Sequence, residues 1–265
     1  HTVTFDGSTA QSITTGGSGA GKTFYDILIN NSATPEDATD VETSGSIKVS
    51  GTVTVSDGQF QPATLSDFEN ITLSASAGIL KVPSSSTITV SGAWNNSGGS
   101  SGSFVANSGT VTFDGGSAQT ITSGNATFYN VTISNTSGAV SLGDKFDLNS
   151  SGTLTINASA IFAVAGYEFD DNAGSITNNG TFQMNGDETL TTGSLSIPGN
   201  TKFVDASGAT LTTGLSGLVN VEFNSSGRTF TLGESLSYVT GNITIASNTT
   251  LDPSANNYGI ELDGN

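Results

Sequence analysis

Twenty-three carboxylates against six basic side chains make acid chemistry the first possibility to test in this 265-residue chain. Glycoside hydrolysis needs two carboxyls flanking the scissile bond. Elimination from an acidic polysaccharide needs clustered acids around Ca²⁺ beside an arginine or lysine base. The best acidic pair is Asp170-Asp171, directly after Tyr167-Glu168-Phe169. Neighbouring strand residues point to opposite faces, so this pair is not built to converge on one bond. Arg228 is the only arginine and sits in Gly227-Arg-Thr-Phe-Thr-Leu232, an ordinary strand context. The one histidine is His1, and there is no cysteine. A Ser–His–Asp arrangement would have to use the first residue, and thiolate chemistry is excluded. These residues predict no enzyme and no cofactor.

The densest acidic stretch is Glu36-Asp37-Ala-Thr-Asp40-Val-Glu42, after Pro35. Oxygen-rich loops hold Ca²⁺, which makes Glu36, Asp37, Asp40 and Glu42 the weak metal candidates. The stretch lacks the Asp/Gly spacing of an EF-hand, and it reads first as an exposed loop. Among the aromatics, Phe24 and Phe128 each begin a repeated Phe-Tyr pair and are expected in the core. Trp94, in a Gly/Asn/Ser-rich stretch, is the candidate for a surface contact. Thr-x-Thr triplets recur at Thr2/Thr4, Thr52/Thr54, Thr87/Thr89, Thr110/Thr112, Thr120/Thr122 and Thr153/Thr155. Aligned on a flat face, such columns would resemble those of ice-binding proteins. Threonine also has high strand propensity, and the irregular spacing argues against one continuous array.

The elements that must carry these residues are strands. Thr2-Val-Thr-Phe5, Ser46-Ile-Lys-Val49, Thr52-Val-Thr-Val55, Thr87-Ile-Thr-Val90, Thr153-Leu-Thr-Ile156 and Ser194-Leu-Ser-Ile197 all alternate apolar with polar, mostly hydroxyl, residues. Turn residues such as Asp6-Gly7, Asp57-Gly58 and Asp114-Gly115 separate them. No segment keeps a 3.6-residue period. Thr2-Val-Thr-Phe-Asp-Gly-Ser-Thr-Ala-Gln-Ser-Ile-Thr14 recurs as Thr110-Val-Thr-Phe-Asp-Gly-Gly-Ser-Ala-Gln-Thr-Ile-Thr122, and a weaker repeat starts near Thr181. Phe24-Tyr-Asp-Ile-Leu-Ile-Asn30 and Phe128-Tyr-Asn-Val-Thr-Ile-Ser134 follow the two copies. Repeats of uneven length, with no Pro-rich or charged linker, predict an all-β fold: one continuous right-handed parallel β-helix over residues 1–265, with almost no helix. At roughly 30 residues a turn it would have eight or nine turns, about 40 Å in length at the strand spacing. The predicted core holds Val3, Phe5, Val111, Phe113, Leu154, Ile156, Leu195 and Ile197.

The formal net charge is −17, and the six basic residues are scattered. Phosphate backbones need concentrated positive charge, so nucleic acid is excluded as a partner, as are anionic membrane surfaces. No apolar run approaches the roughly 20 residues of a membrane-spanning helix.

Ser91-Gly-Ala-Trp94-Asn-Asn96, Ser103-Phe-Val105, the Thr110 repeat and Phe128-Tyr-Asn-Val-Thr-Ile133 resemble the repeats of large secreted bacterial surface proteins, and of autotransporter-type adhesins. The resemblance implies an extracellular or cell-surface location. It implies a structural segment of a fibre or coat, with an adhesive role. The alternatives are a carbohydrate-active β-helix enzyme and a glycan- or ice-binding module. The chain opens directly in a strand at His1, which suggests excision from something longer. It closes on Tyr258-Gly-Ile-Glu-Leu262, without a helical or charged cap at either end. Uncapped solenoid ends expose backbone groups and apolar side chains. Thr2, Val3, Thr4, Phe5, Ile260 and Leu262 are therefore the expected head-to-tail interface, with the chain itself as partner.

Overall fold

The computed structural model describes residues 1–15, 23–32, 40–172, 174–188, 190–191, 197–204, 210–211, 217–253 and 257–263. They form a parallel β-solenoid of about ten turns, 53% strand and 1% helix. The only helical piece among them is a 3-10 turn at Ser101–Ser103.

Each turn crosses three faces in a constant order. Thr2–Phe5 starts the first face, Gln11–Ile13 the second and Thr23–Phe24 the third. The ladders run parallel throughout. On the first face Val3 pairs with Ile27, Ile27 with Val53, Val53 with Ile71, and Ile71 with Trp94. On the third face Phe68 pairs with Val90, Val90 with Phe113, Phe113 with Ile133, and Ile133 with Ile156. Alternation along each strand sends these side chains inward and their neighbours outward. The turns are shorter and less even than the sequence predicts. Val53 meets Ile71 after 18 residues, whereas Gln11 meets Val41 after 30. Only the corners change length, so the ladders keep register.

The core is a column of stacked apolar side chains. Val111, Phe113, Leu154, Ile156 and Ile197 are buried as expected. Leu195 lies outside the described residues. Val3 departs from the expectation: it is 40% exposed, because only the turn of Ile27 covers it, and Phe5 is half-buried. Trp94 is also corrected. It is fully buried, with its ring 4.7 Å from that of Phe104 and 5.1 Å from that of Phe128. Its Gly/Asn-rich neighbours are corners, while alternation turns Trp94 itself inward below Ile121. Phe128, Phe146 and Phe169 continue the column as near-parallel rings 5.1 and 5.8 Å apart.

Corners leave backbone groups without ladder partners, and buried polar side chains fill the gap. Gln119 is 3% exposed and uses all its bonding capacity. Its amide donates to the carbonyls of Val90 and Gly92, both at 2.8 Å, and its oxygen accepts from Gly115 N at 2.9 Å and Asn135 Nδ2 at 3.0 Å. Gln11 accepts in the same way from Gly7 N and Asn31 Nδ2. The Asp-Gly…Gln signature of the two sequence copies thus encodes a corner. Carboxylates brace others: Asp144 accepts from Ser123 N and Gly124 N, and the buried Glu188 from Gly166 N, Asn185 N and Gly186 N. Gly58 shows why glycine is needed at such places. Its φ is +74°, and a Cβ would collide with the carbonyl oxygen of Asn31.

The two sequence copies do not occupy equivalent faces. Thr2–Phe5 lies on the first face, but Thr110–Phe113 stacks between Thr87–Val90 and residues 130–133 on the third. Likewise Gln11 pairs with Val41 on the second face, whereas Thr120 and Ile121 continue the first. The repeat is a strand–corner–strand unit found at either corner, and in both the glutamine accepts from the equivalent glycine and asparagine.

The packing can be tested at two residues. Gln119→Leu strands several buried backbone groups at once and is expected to lower stability by about 3 kcal/mol or more; chemical denaturation measures it. Trp94→Ala should cost about 3–5 kcal/mol. In the unmodified protein, the single Trp should emit at short wavelength and resist iodide quenching, and solvent-like emission would contradict its burial.

Candidate functional site

The acids singled out in the sequence do not converge. Asp170 points outward and accepts from Asn172 N at 2.9 Å, while Asp171 is buried. Arg228 lies in a turn just ahead of Thr229–Leu232. Asp40 is buried and braces a corner by accepting from Gln59 N at 2.7 Å, while Glu42 is exposed on the strand beyond it. Glu36 and Asp37 lie outside the described residues. Among the described residues no group of three or more potential ligands could hold a metal ion. Thr2, Val3 and Thr4 are exposed on the first turn, and Ile260 and Leu262 on the last described strand.

A charged cluster sits on the second face. Lys145 Nζ lies 3.1 Å from both Asp147 and Glu168, and Asp170 stacks on Asp147. Burial raises the carboxyl of Asp147 above its ordinary value, opposed by its bond to Lys145. Hydrogen bonds to Asp147 and Glu168 raise Lys145 in turn.

A groove of about 380 Å³ lies on the first face, lined by Thr181, Asn200, Lys202, Asn220, Glu222 and Asn242. Its polar groups are largely engaged with one another. Asn220 donates to Asn200 at 3.1 Å and accepts from Asn242 N at 3.1 Å, and Lys202 pairs with Glu222 at 3.5 Å. The buried hydroxyl of Thr201 beside them has no hydrogen-bond partner among the described residues.

The outer surface of the third face differs. Thr87, Thr110, Asn130, Thr153 and Ser175 form one outward column, in register over five consecutive turns. Thr89, Thr112, Thr132, Thr155 and Thr177 form a second beside it. The irregular sequence spacing that argued against a continuous array is absorbed by the corners. Asn130/Thr132 and Ser175/Thr177 escape the sequence reading because they break the Thr-x-Thr pattern. The signal that could have found them is the inward Val131 and Ile176, which continue the ladder of Val111 and Leu154.

All ten positions are uncharged. The hydroxyls of Thr87, Thr110, Thr112, Thr132, Thr155 and Thr177 make no hydrogen bond to another described residue; Thr89 bonds Asp67, and Thr153 pairs with Ser175. Corner hydroxyls behave differently: Ser56, Ser74 and Ser91 all donate to carbonyls of the turn before. The Lys48–Asp67 ion pair borders the array at the turn below Thr89. The first face also has an uncharged run in its middle turns, with Thr54, Thr72, Asn95 and Thr122 in one outward column, but Asn and Ala interrupt its threonines, and Asp26, Leu28, Lys202 and Glu222 bound it on either side.

No protein-family model matches this chain, and no curated protein or solved structure matches it.

The charged cluster generates a pH prediction. Without Lys145, Asp147, Glu168 and Asp170 repel one another once ionised. Lys145→Ala should therefore destabilise at pH 7, by about 1 kcal/mol or less because the lysine is partly solvated. The deficit should vanish as pH falls through the carboxyl range and the acids protonate. In the parent, the raised Lys145 gives stability that is full below its ordinary value and is lost as pH rises above it. Thermal unfolding of both proteins across pH tests each limb.

Proposed function

We propose that this chain is a non-catalytic structural segment of an extracellular or cell-surface fibre or coat, and that its third face is an adhesive surface. The observation that carries the reading is the ten-position array of outward Thr, Ser and Asn over five turns, uncharged and with six of its threonine hydroxyls unspent in internal hydrogen bonds. Small molecules are held in concave sites that cover most of their surface. A ladder of this kind instead offers many weak, identical contacts at fixed spacing, which suits an extended, ordered partner. The β-branched side chains are stiff at χ1, so little entropy is lost when they are contacted. The resemblance to secreted bacterial surface repeats, autotransporter-type adhesins among them, agrees with this role.

The test is retention of the purified protein on extended solids: microcrystalline cellulose, chitin and polycrystalline ice. At least one should retain it. The triple variant Thr112→Lys, Thr132→Lys, Thr155→Lys should lose about tenfold in retention, equivalent to roughly 1.4 kcal/mol. Thr54→Lys on the first face should not. Retention on none of the solids, or equal retention of the triple variant, would overturn the adhesive reading.

A further inference from the structure

We infer that the solid recognised by the third face is ice. This rests on the adhesive reading above and goes further by naming the partner. Parallel strands set the two repeats of the array: about 4.8 Å between turns, and roughly 6.7 Å between alternate residues of one strand. Both lie near repeats of the oxygen lattice in hexagonal ice. The match needs the columns to stay in register, and no register shift falls within residues 87–90, 110–113, 130–133, 153–156 or 175–178.

The chemistry of each position fits the same partner. A threonine presents one hydroxyl and one methyl. The hydroxyl can take a lattice site for water oxygen, and the methyl can sit in the space between lattice waters. Six hydroxyls of the array have no described internal partner and so are available to water. A charged side chain would impose its own hydration shell in place of the lattice, and the array has none. The nearest charges lie at its edge: Lys48 and Asp67 pair with each other one turn outside it, and Asp114, which follows Phe113, lies near both.

A polysaccharide crystal is the main competitor. It also repeats in two dimensions, but its sugar rings offer flat faces that aromatic side chains cover. None of the ten positions is aromatic. Tyr129, next to Asn130, is half-buried at the register shift within Thr127–Ile133.

The experiment freezes the full chain slowly out of dilute solution, measures its partition into the ice fraction, and scores inhibition of ice recrystallisation. Cellulose and chitin binding and solution mass are measured on the same samples. The expected result is enrichment in ice and arrested recrystallisation, with no retention on either polysaccharide. Thr132→Lys, at the centre of the array, should reduce ice partition about tenfold. Thr132→Val, which keeps the shape and one methyl, should lose less, and Thr54→Lys should match the parent. Unfolding temperatures close to the parent's keep these comparisons about the surface. Retention on cellulose or chitin with none on ice would overturn the inference and leave the adhesive reading standing. Retention on no solid would overturn both. A lateral dimer broken by Thr132→Lys, without ice partition, would show that the face is a self-interface and would also overturn the inference.

Discussion

Everything in this molecule depends on the parallel backbone ladder from one turn to the next. Each strand satisfies its N–H and C=O groups with the turns on either side, so residues of like role are forced into columns. One inward column becomes the apolar core, and one outward column becomes a surface pattern repeated about every 4.8 Å. A change in the length of a corner does not disturb this, which is why turns of 18 and of 30 residues coexist. A change of one residue within a strand would turn its core side chains to solvent.

The same constraint explains the buried polar residues at the corners. A corner interrupts the ladder and leaves buried amides and carbonyls to be satisfied. Gln11, Gln119, Asn31 and Asn135 supply those bonds in the two related copies. Asp40, Asp144 and Glu188 do so with carboxylates, each accepting backbone N–H groups. Acidic residues are therefore partly structural in a chain of strong negative charge. Where acids gather on the surface, as around Lys145, the arrangement is a local ion-pair cluster.

The surfaces divide accordingly. The first face carries charge and Leu28 towards its ends and a mixture of threonine and amides between them. The third face holds threonine in both columns for most of five turns. Burying a side chain inward places no demand on which β-former lies outward, so this uniformity is not required by the core beneath it.

The fold was legible in the sequence because alternation and turn residues are local. Val111, Phe113, Leu154 and Ile156 fall inward from the strand pattern alone, and the Asp-Gly…Gln repeat marks a break between strands by its turn residues alone. Three things were decided only by the tertiary structure. Trp94 lies among residues that read as surface, yet its parity in the strand turns it into the core against Phe104 and Phe128. The two copies of the repeat fall on different faces, because the residues between them do not add up to a whole number of turns. The threonine array forms because corners of unequal length return Thr89, Thr112, Thr132, Thr155 and Thr177 to one line. Sequence determines which way a side chain points within its strand, since that depends on neighbours two residues away. Which strands lie beside one another depends on pairing between turns, and only the folded chain sets that.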